Sequence, residues 1–176
     1  MTAPILLSAR LRLRAHVAAD YPACKAMWQH PTTIRFIGGL PQSDQEVWFR
    51  LLRYAGMWPL QGFGFWAFED RTTGEYLGEG GLMDARRDLA GLQGIPEAGW
   101  ALMPQAGGRG IATEAMSAVL DWADAHLSAT RTGCIINPDN TASLRVAAKL
   151  GFVETDRPGF HGEPTVLLHR SRRLRA

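Results

Sequence analysis

Lysine is nearly missing from this chain of 176 residues: of nineteen basic residues only Lys25 and Lys149 are lysines. A biased genome explains that lopsidedness most simply. Cysteine is almost as scarce. Cys24 and Cys134 stand too far apart for a metal or redox spacing and make no disulfide framework. Charge of one sign is also lacking, since a formal net charge of +2 is too small to argue for nucleic acid or an anionic membrane as partner. Long hydrophobic runs are absent as well. Pro4 to Leu7 is too short for a signal peptide, and nothing approaches the roughly 18 apolar residues of a membrane span. These absences give the expectation of a cytoplasmic protein. Its 46% apolar and 20% charged residues fit one ordinary domain over 1–176, large enough for a substantial core.

What is abundant is glycine, and it concentrates in Gln105-Ala106-Gly107-Gly108-Arg109-Gly110. A short apolar segment, Ala98 to Met103, precedes it and is closed by Pro104. A helical pattern follows, with Ile111, Ala115, Val119 and Trp122 on one face and Glu114, Ser117, Asp121 and Asp124 on the other. Glycines at a strand-to-helix junction expose the helix's first N–H groups at the positive end of its dipole, with no Cβ to keep a ligand away. Those are the makings of an anion site, most simply for a phosphate or pyrophosphate.

Three phosphate-binding patterns compete. A P-loop needs a lysine after its last glycine, and none follows here. Gly108-x-Gly110-x-x-Thr113 nearly fits a dinucleotide fingerprint, which would make the chain an oxidoreductase. That fingerprint expects a second strand ending in an acidic residue about 20 residues on, whereas Arg131 to Asn137 ends at Asn137-Pro138. The third pattern, Gln/Arg-x-x-Gly-x-Gly/Ala, is met in full by Gln105, Gly108 and Gly110.

Along the chain, Ile5 to Ala15 alternates arginine and leucine as a half-exposed strand does. Asp20 to Gln29 reads as a short helix ending near Pro31. Ser43 with Glu46 forms a capping box for a second helix, with Val47, Leu51 and Tyr54 on its apolar face and Trp48 and Leu52 beside them. Phe63 to Glu69 and Glu75 to Met83 are strands joined by the turn Arg71 to Gly74. Asp84 to Gly94 is an exposed loop. Arg131 to Ile136 is a strand, about Asn140 to Leu150 a helix with Gly151 as its left-handed cap, and Thr165 to His169 the final strand. Arg170 to Arg175 is a solvated basic tail. The order is β-α-α-β-β-β-α-β-α-β-β, with no repeat or linker.

These motifs together resemble the GCN5-related N-acetyltransferases. Pro96 to Leu102 resembles the strand before that family's pyrophosphate loop, and Asn140-Thr141-Ala142-Ser143, Val146 and Lys149-Leu150-Gly151-Phe152 resemble its second motif in the RimJ/RimL-type branch. Leu11-Arg12-Leu13-Arg14 is similar to that branch's first strand. The resemblance spans nearly the whole chain. It implies an α+β (α/β) fold, with a mixed, mostly antiparallel six- to seven-stranded sheet flanked by about four helices and splayed beside the glycine loop. It also implies an acyltransferase that uses acetyl-CoA as cosubstrate, without a metal. An acetyl group would pass by direct attack to a primary amine, on a protein N-terminus or a small molecule, in a monomer or homodimer. Coenzyme A would be held by Leu102, Met103, Gln105, Gly107, Gly108, Arg109, Gly110, Ile111, Ala112, Thr113, Asn140 and Ser143, its pantetheine arm taking backbone hydrogen bonds near Leu102 and Met103.

Acetyl transfer needs a neutral amine and a stabilised leaving thiolate. Glu97 is the candidate base, if it is not merely a strand-edge glutamate facing solvent; Glu79 stands in reserve, and His161 in the loop before the last strand is a third polar group. The tyrosine acid found in many relatives is missing, because its position carries Ala147. The branch offers Ser143 in its place, although a serine in a first helical turn equally serves local backbone. Asn140 is either a pantetheine contact or a helix cap. Trp28, Trp48 and Trp58 are acceptor-pocket lining or core. The missing tyrosine leaves a non-catalytic acyl-CoA-binding domain as the alternative.

Overall fold

A computed structural model describes residues 2–173. Strand β1 (Leu6–Leu7) and β2 (Leu11–Arg14) form a hairpin, followed by helices α1 (Tyr21–Trp28), α2 (Pro31–Ile34) and α3 (Asp44–Gln61). Then come β3 (Phe65–Asp70), β4 (Tyr76–Met83), β5 (Glu97–Leu102), α4 (Ile111–His126), β6 (Arg131–Ile136) and α5 (Thr141–Lys149). Strands β7 (Val153–Asp156), β8 (Gly159–Phe160), β9 (Glu163–Pro164) and β10 (Val166–Ser171) complete the order. The main sheet has eight strands, ordered β1-β2-β3-β4-β5-β6-β10-β7, and β8 and β9 make a separate small hairpin. All neighbours are antiparallel except β5 and β6, which are parallel and paired only at Glu97↔Gly133.

The sheet is buried on both faces, which is why β3 opens with the unbroken apolar run Phe65 to Phe68 instead of alternating with polar residues. Trp66 and Phe68 meet Ile111, Met116, Val119 and Leu120 of α4 on one side. Ala67 and Tyr76 meet Cys24, Met27, Trp28, Val47 and Leu51 of α1 and α3 on the other. The rings of Trp58, Trp66 and Trp122 pack edge-on, with centroids 4.6–5.5 Å apart, and close the end of this core.

Local signals hold where they rest on backbone chemistry. The Ser43 side chain accepts from Glu46 N–H, Glu46 returns the bond to Ser43 N–H, and Gly62 ends α3 with φ +77°. Gly151 has φ +88°, and Phe152 folds back, its N–H on the Ala147 carbonyl.

Several expectations are corrected. The first strand is two, because Ser8 to Arg10 turn the chain, with Ser8 N–H bonding the Leu11 carbonyl. Pro31 opens α2 instead of merely ending a helix, as its fixed φ and missing N–H suit a first helical turn. Trp48 and Leu52 stay 40% and 50% exposed, since the buried stripe of α3 runs through Val47, Leu51, Tyr54 and Trp58. Asp124 is buried in place of facing water, and Arg170 is no solvated tail residue: at 3% exposure it grips Asp124 through two hydrogen bonds of 2.9 and 2.6 Å. Positions 174 and 175 of the expected tail lie outside the described residues. The loop 84–94 carries a turn of 3-10 helix at Ala90–Leu92; Leu92 and the preceding Leu89 are buried against Leu167.

Candidate active site

Because β5 and β6 pair at one point and then diverge, the sheet opens beyond Glu97↔Gly133. A cavity of about 1410 Å³ occupies the opening. Its walls come from Ala98 to Ala101 of β5, Cys134 to Asn137 at the end of β6, Asn140 and Ser143 at the start of α5, from Arg35 to Gly39 after α2, and from α3 and the β8–β9 hairpin.

The glycine loop lies at the mouth of the diverging strands and outside that cavity wall. Gly108 and Gly110 both take left-handed backbone, φ +74° and +79°, and Gly110 is the N-cap of α4. A Cβ built on Gly108 would meet nothing within 4 Å, so conformation and open approach explain the glycine, not crowding. Among the described residues, the N–H groups of Gly108 through Thr113 donate to no protein acceptor; the first amide of the helix to find one is Glu114, on the Gly110 carbonyl. Free amides, a helix dipole and an uncrowded approach fit a pyrophosphate.

One residue that the sequence did not single out completes this loop. Arg10, from the β1–β2 turn, donates Nη1 to the Arg109 carbonyl at 3.0 Å and grips Glu114 through Nε and Nη2 at 2.7 Å. Ser8 Oγ and the Arg10 N–H reach the other oxygen of Glu114. Only the partner hinted at it: an acid in the first turn of α4 opposite an arginine strand.

The other expected cofactor residues are variously placed. Leu102 already has its carbonyl on Thr33 Oγ1 (3.2 Å), and Met103 N–H donates to Leu77 O (2.9 Å), so both backbone groups are engaged within the protein. Gln105 is exposed, with Nε2 3.4 Å from Glu75. Gly107 has an ordinary φ of −63°, and Arg109 is exposed. Ile111 and Ala112 bury their side chains in the core and offer only backbone, and Thr113 is half-buried. Asn140 caps α5, its Oδ1 accepting from Ser143 N–H at 3.1 Å. The Ser143 hydroxyl has no hydrogen-bond partner among the described residues and lies on the cavity wall. Ala147 is fully buried in the core and absent from that wall.

Glu97 lines the cavity but is only 4% exposed, and Arg87 Nε holds its Oε2 at 2.6 Å. It does not face bulk solvent; it is a buried, paired carboxylate at the floor of the opening. Burial, and then the Glu97 charge, push the nearby Cys134 thiol up.

Glu79 is more deeply held. Its Oε1 accepts from Trp28 Nε1 (2.9 Å) and the Tyr54 hydroxyl (2.5 Å), and its Oε2 from the Tyr76 hydroxyl (2.7 Å). His16 Nε2 stands 3.5 Å from Oε2. Burial alone would raise this carboxyl; His16 and then the tyrosine hydroxyls outweigh it and bring it to about 2. Burial and the Glu79 charge push both tyrosines and Cys24 up. An anion so fully engaged is a poor proton acceptor.

Trp28 lines the cavity, Trp58 is core, and Trp48 is neither. His161 lies on the rim, exposed, at φ +51° in the β8–β9 turn and edge-on to Phe160 at 4.1 Å.

A splayed mixed sheet with a glycine loop at a helix N-terminus defines a class, and residues 10–153 match the acetyltransferase (GNAT) domain family. The chain belongs to that family and is an acyltransferase. It is similar to a GNAT-family acetyltransferase structure from Bordetella pertussis, 32% identical with TM-score 0.84, covering 96% of this chain and all of that one. Two proteins of Bacillus subtilis (strain 168) are also similar. The N-acetyltransferase YoaA is 28% identical over 150 residues, 85% of this chain and 82% of that protein. YkkB is 34% identical over 91 residues, so the chain spans about half the length of that relative, 51%, with 52% of its own. A spermidine N-acetyltransferase from Vibrio cholerae, solved with CoA and spermine, shares the fold at 15% identity: TM-score 0.75, covering 94% of this chain and 97% of that one.

Proposed function

We propose that the chain, acting as one domain, is an acetyl-CoA-dependent N-acetyltransferase that moves acetyl to a primary amine by direct attack within a ternary complex. The observation that carries this is the run of free amides from Gly108 to Thr113 beside the gap where β5 leaves β6. Acetyl-CoA supplies the activated acetyl group as a thioester. The Gly108–Thr113 amides, with Arg10 behind them, take the pyrophosphate, and the diverging strands direct the thioester end into the cavity. Glu97, from within its pair with Arg87, takes the proton of the attacking amine, and the Ser143 hydroxyl stabilises the departing thiolate. Asn140 orients Ser143 as the cap of α5. Glu79 organises the acceptor wall and is no base. The motif around Asn140 and Ser143 supports a reading in the RimJ/RimL-type branch.

Thiol release from acetyl-CoA against a panel of primary amines tests the reading, and a protein that binds acetyl-CoA but turns over with none of them overturns it. On an accepted amine, Glu97→Gln should slow turnover by about 10²–10⁴-fold while sparing acetyl-CoA binding. That loss should shrink at high pH, where free amine needs no base. Ser143→Ala should slow turnover at every pH. Wild-type rates in both variants would leave positioning as the whole mechanism.

A further inference from the structure

The acceptor side of the cavity carries charge in an arrangement that the transfer chemistry does not need. The lining from α3 and from the segment just after α2 includes Arg35, Arg50 and Arg53. None of the three has a carboxylate partner among the described residues. Each guanidinium lies instead near an aromatic ring: Arg50 3.7 Å above Trp28, Arg35 4.9 Å from Phe36 and Arg53 5.6 Å from Tyr54. Stacking fixes a guanidinium's plane while leaving donors free in it. Arg50 is the most fixed, since Nε donates to Gln42 Oε1 (3.0 Å) and Nη1 to the Tyr54 hydroxyl (3.1 Å), and its remaining N–H groups have no partner among the described residues.

The same cavity is also lined by the buried carboxylates Glu79, on β4, and Glu97, on β5. The two charges share their supports. The Tyr54 hydroxyl that accepts from Arg50 donates to Glu79, and the Trp28 ring beneath Arg50 gives its N–H to the same carboxylate. Arg50 and Glu79 are thus fixed relative to one another through one hydroxyl and one indole. The lining also includes the apolar side chains of Phe49, Leu52, Met57, Phe65, Met83 and Trp100. A polycation would meet three unpaired guanidiniums here, and like charges facing each other cost binding.

Resting on the reading of this cavity as an acetyl-acceptor site, we infer that the acceptor is a zwitterion: a free amino acid with an apolar side chain, its amine toward Glu97 and its carboxylate on Arg35, Arg50 and Arg53. Guanidinium matches carboxylate geometry in two parallel bonds, and that match discriminates against an uncharged amide of the same shape.

The test compares kcat/KM, by thiol release, for apolar amino acids, their carboxamides, C-terminally blocked peptides without acidic residues, and spermidine. The free amino acid should exceed its own carboxamide by at least about tenfold. The double variant Arg35→Met/Arg53→Met, altered at exposed positions that leave the core alone, should raise KM for the amino acid and close that gap. KM for acetyl-CoA should not change. Equal or better use of the carboxamide, the blocked peptides or spermidine overturns the inference while acetyl transfer itself stands. So does a gap that survives the double variant, or a rise in KM for acetyl-CoA instead, which would assign these arginines to the cofactor. If no amine releases thiol, the acetyl-acceptor reading fails. Calorimetric titration of the amino acid and its carboxamide into the acetyl-CoA complex then decides: binding of the amino acid alone, lost in the double variant, sustains a zwitterion site, and its absence ends it.

Discussion

Glu79 shows what a single buried charge asks of its surroundings. It is fully buried, and three donors from α1, α3 and β4 converge on its two oxygens. Glu79→Gln keeps the shape but puts an amide donor where one of these donors expects an acceptor. It should lower unfolding free energy by about 3–5 kcal/mol near neutral pH, as removal of a buried partner does. Because the folded carboxyl titrates at about 2 against an ordinary 4.5, its charge adds stability above about 4.5, which drains away as pH falls from there toward 2. The gap between wild type and variant in urea unfolding should therefore narrow below pH 4.5, and a gap constant with pH would refute the assignment. Glycine-rich β4 gave no hint of this. Glu79 read only as a reserve base, because its tyrosine, tryptophan and histidine partners come from positions 16, 28, 54 and 76 and meet only after folding.

At the scale of the element, the junction from β5 through the glycine loop into α4 was the most legible stretch of the chain. Its glycines announce a backbone that other residues cannot adopt cheaply, and Gly110 takes φ +79°. Valine there must hold a left-handed backbone, strained for a β-branched residue, and its Cβ would sit 3.6 Å from Arg10 Nη2. Gly110→Val should weaken acetyl-CoA binding by at least about tenfold, or about 1.4 kcal/mol, in calorimetry. Unchanged affinity in a folded variant would move the pyrophosphate elsewhere. Arg10 escaped notice for the opposite reason: an alternating Leu-Arg strand looks alike whether its arginines meet water or a distant helix, and only the tight turn at Ser8 to Arg10 aims this one at Glu114.

Across the whole molecule, Asp124 of α4 and Arg170 of β10 tie the cofactor-side helix to the strand laid down last. Their side chains are 7% and 3% exposed, and Arg173 N–H adds a third bond to Asp124. Asp124→Ala should cost about 3–5 kcal/mol by stranding a buried guanidinium, whereas Asp124→Leu with Arg170→Met should be near neutral. Denaturant unfolding of the two variants checks this; equal losses would mean that packing, not charge, makes the tie. The sequence by itself determined the family, the glycine loop, the capping box of α3, the Gly151 cap and most strands and helices. Those features live in neighbouring residues, where backbone geometry and hydrophobic period leave a readable mark. Tertiary structure alone decided that Asp124 and Arg170 are buried together, that Glu97 is an ion pair with Arg87, and that Glu79 sits in a ring of donors. It alone decided that three arginines and two carboxylates line one cavity. A charged side chain carries the same letter on a solvated face and in a core, and only the fold supplies the partner that tells them apart.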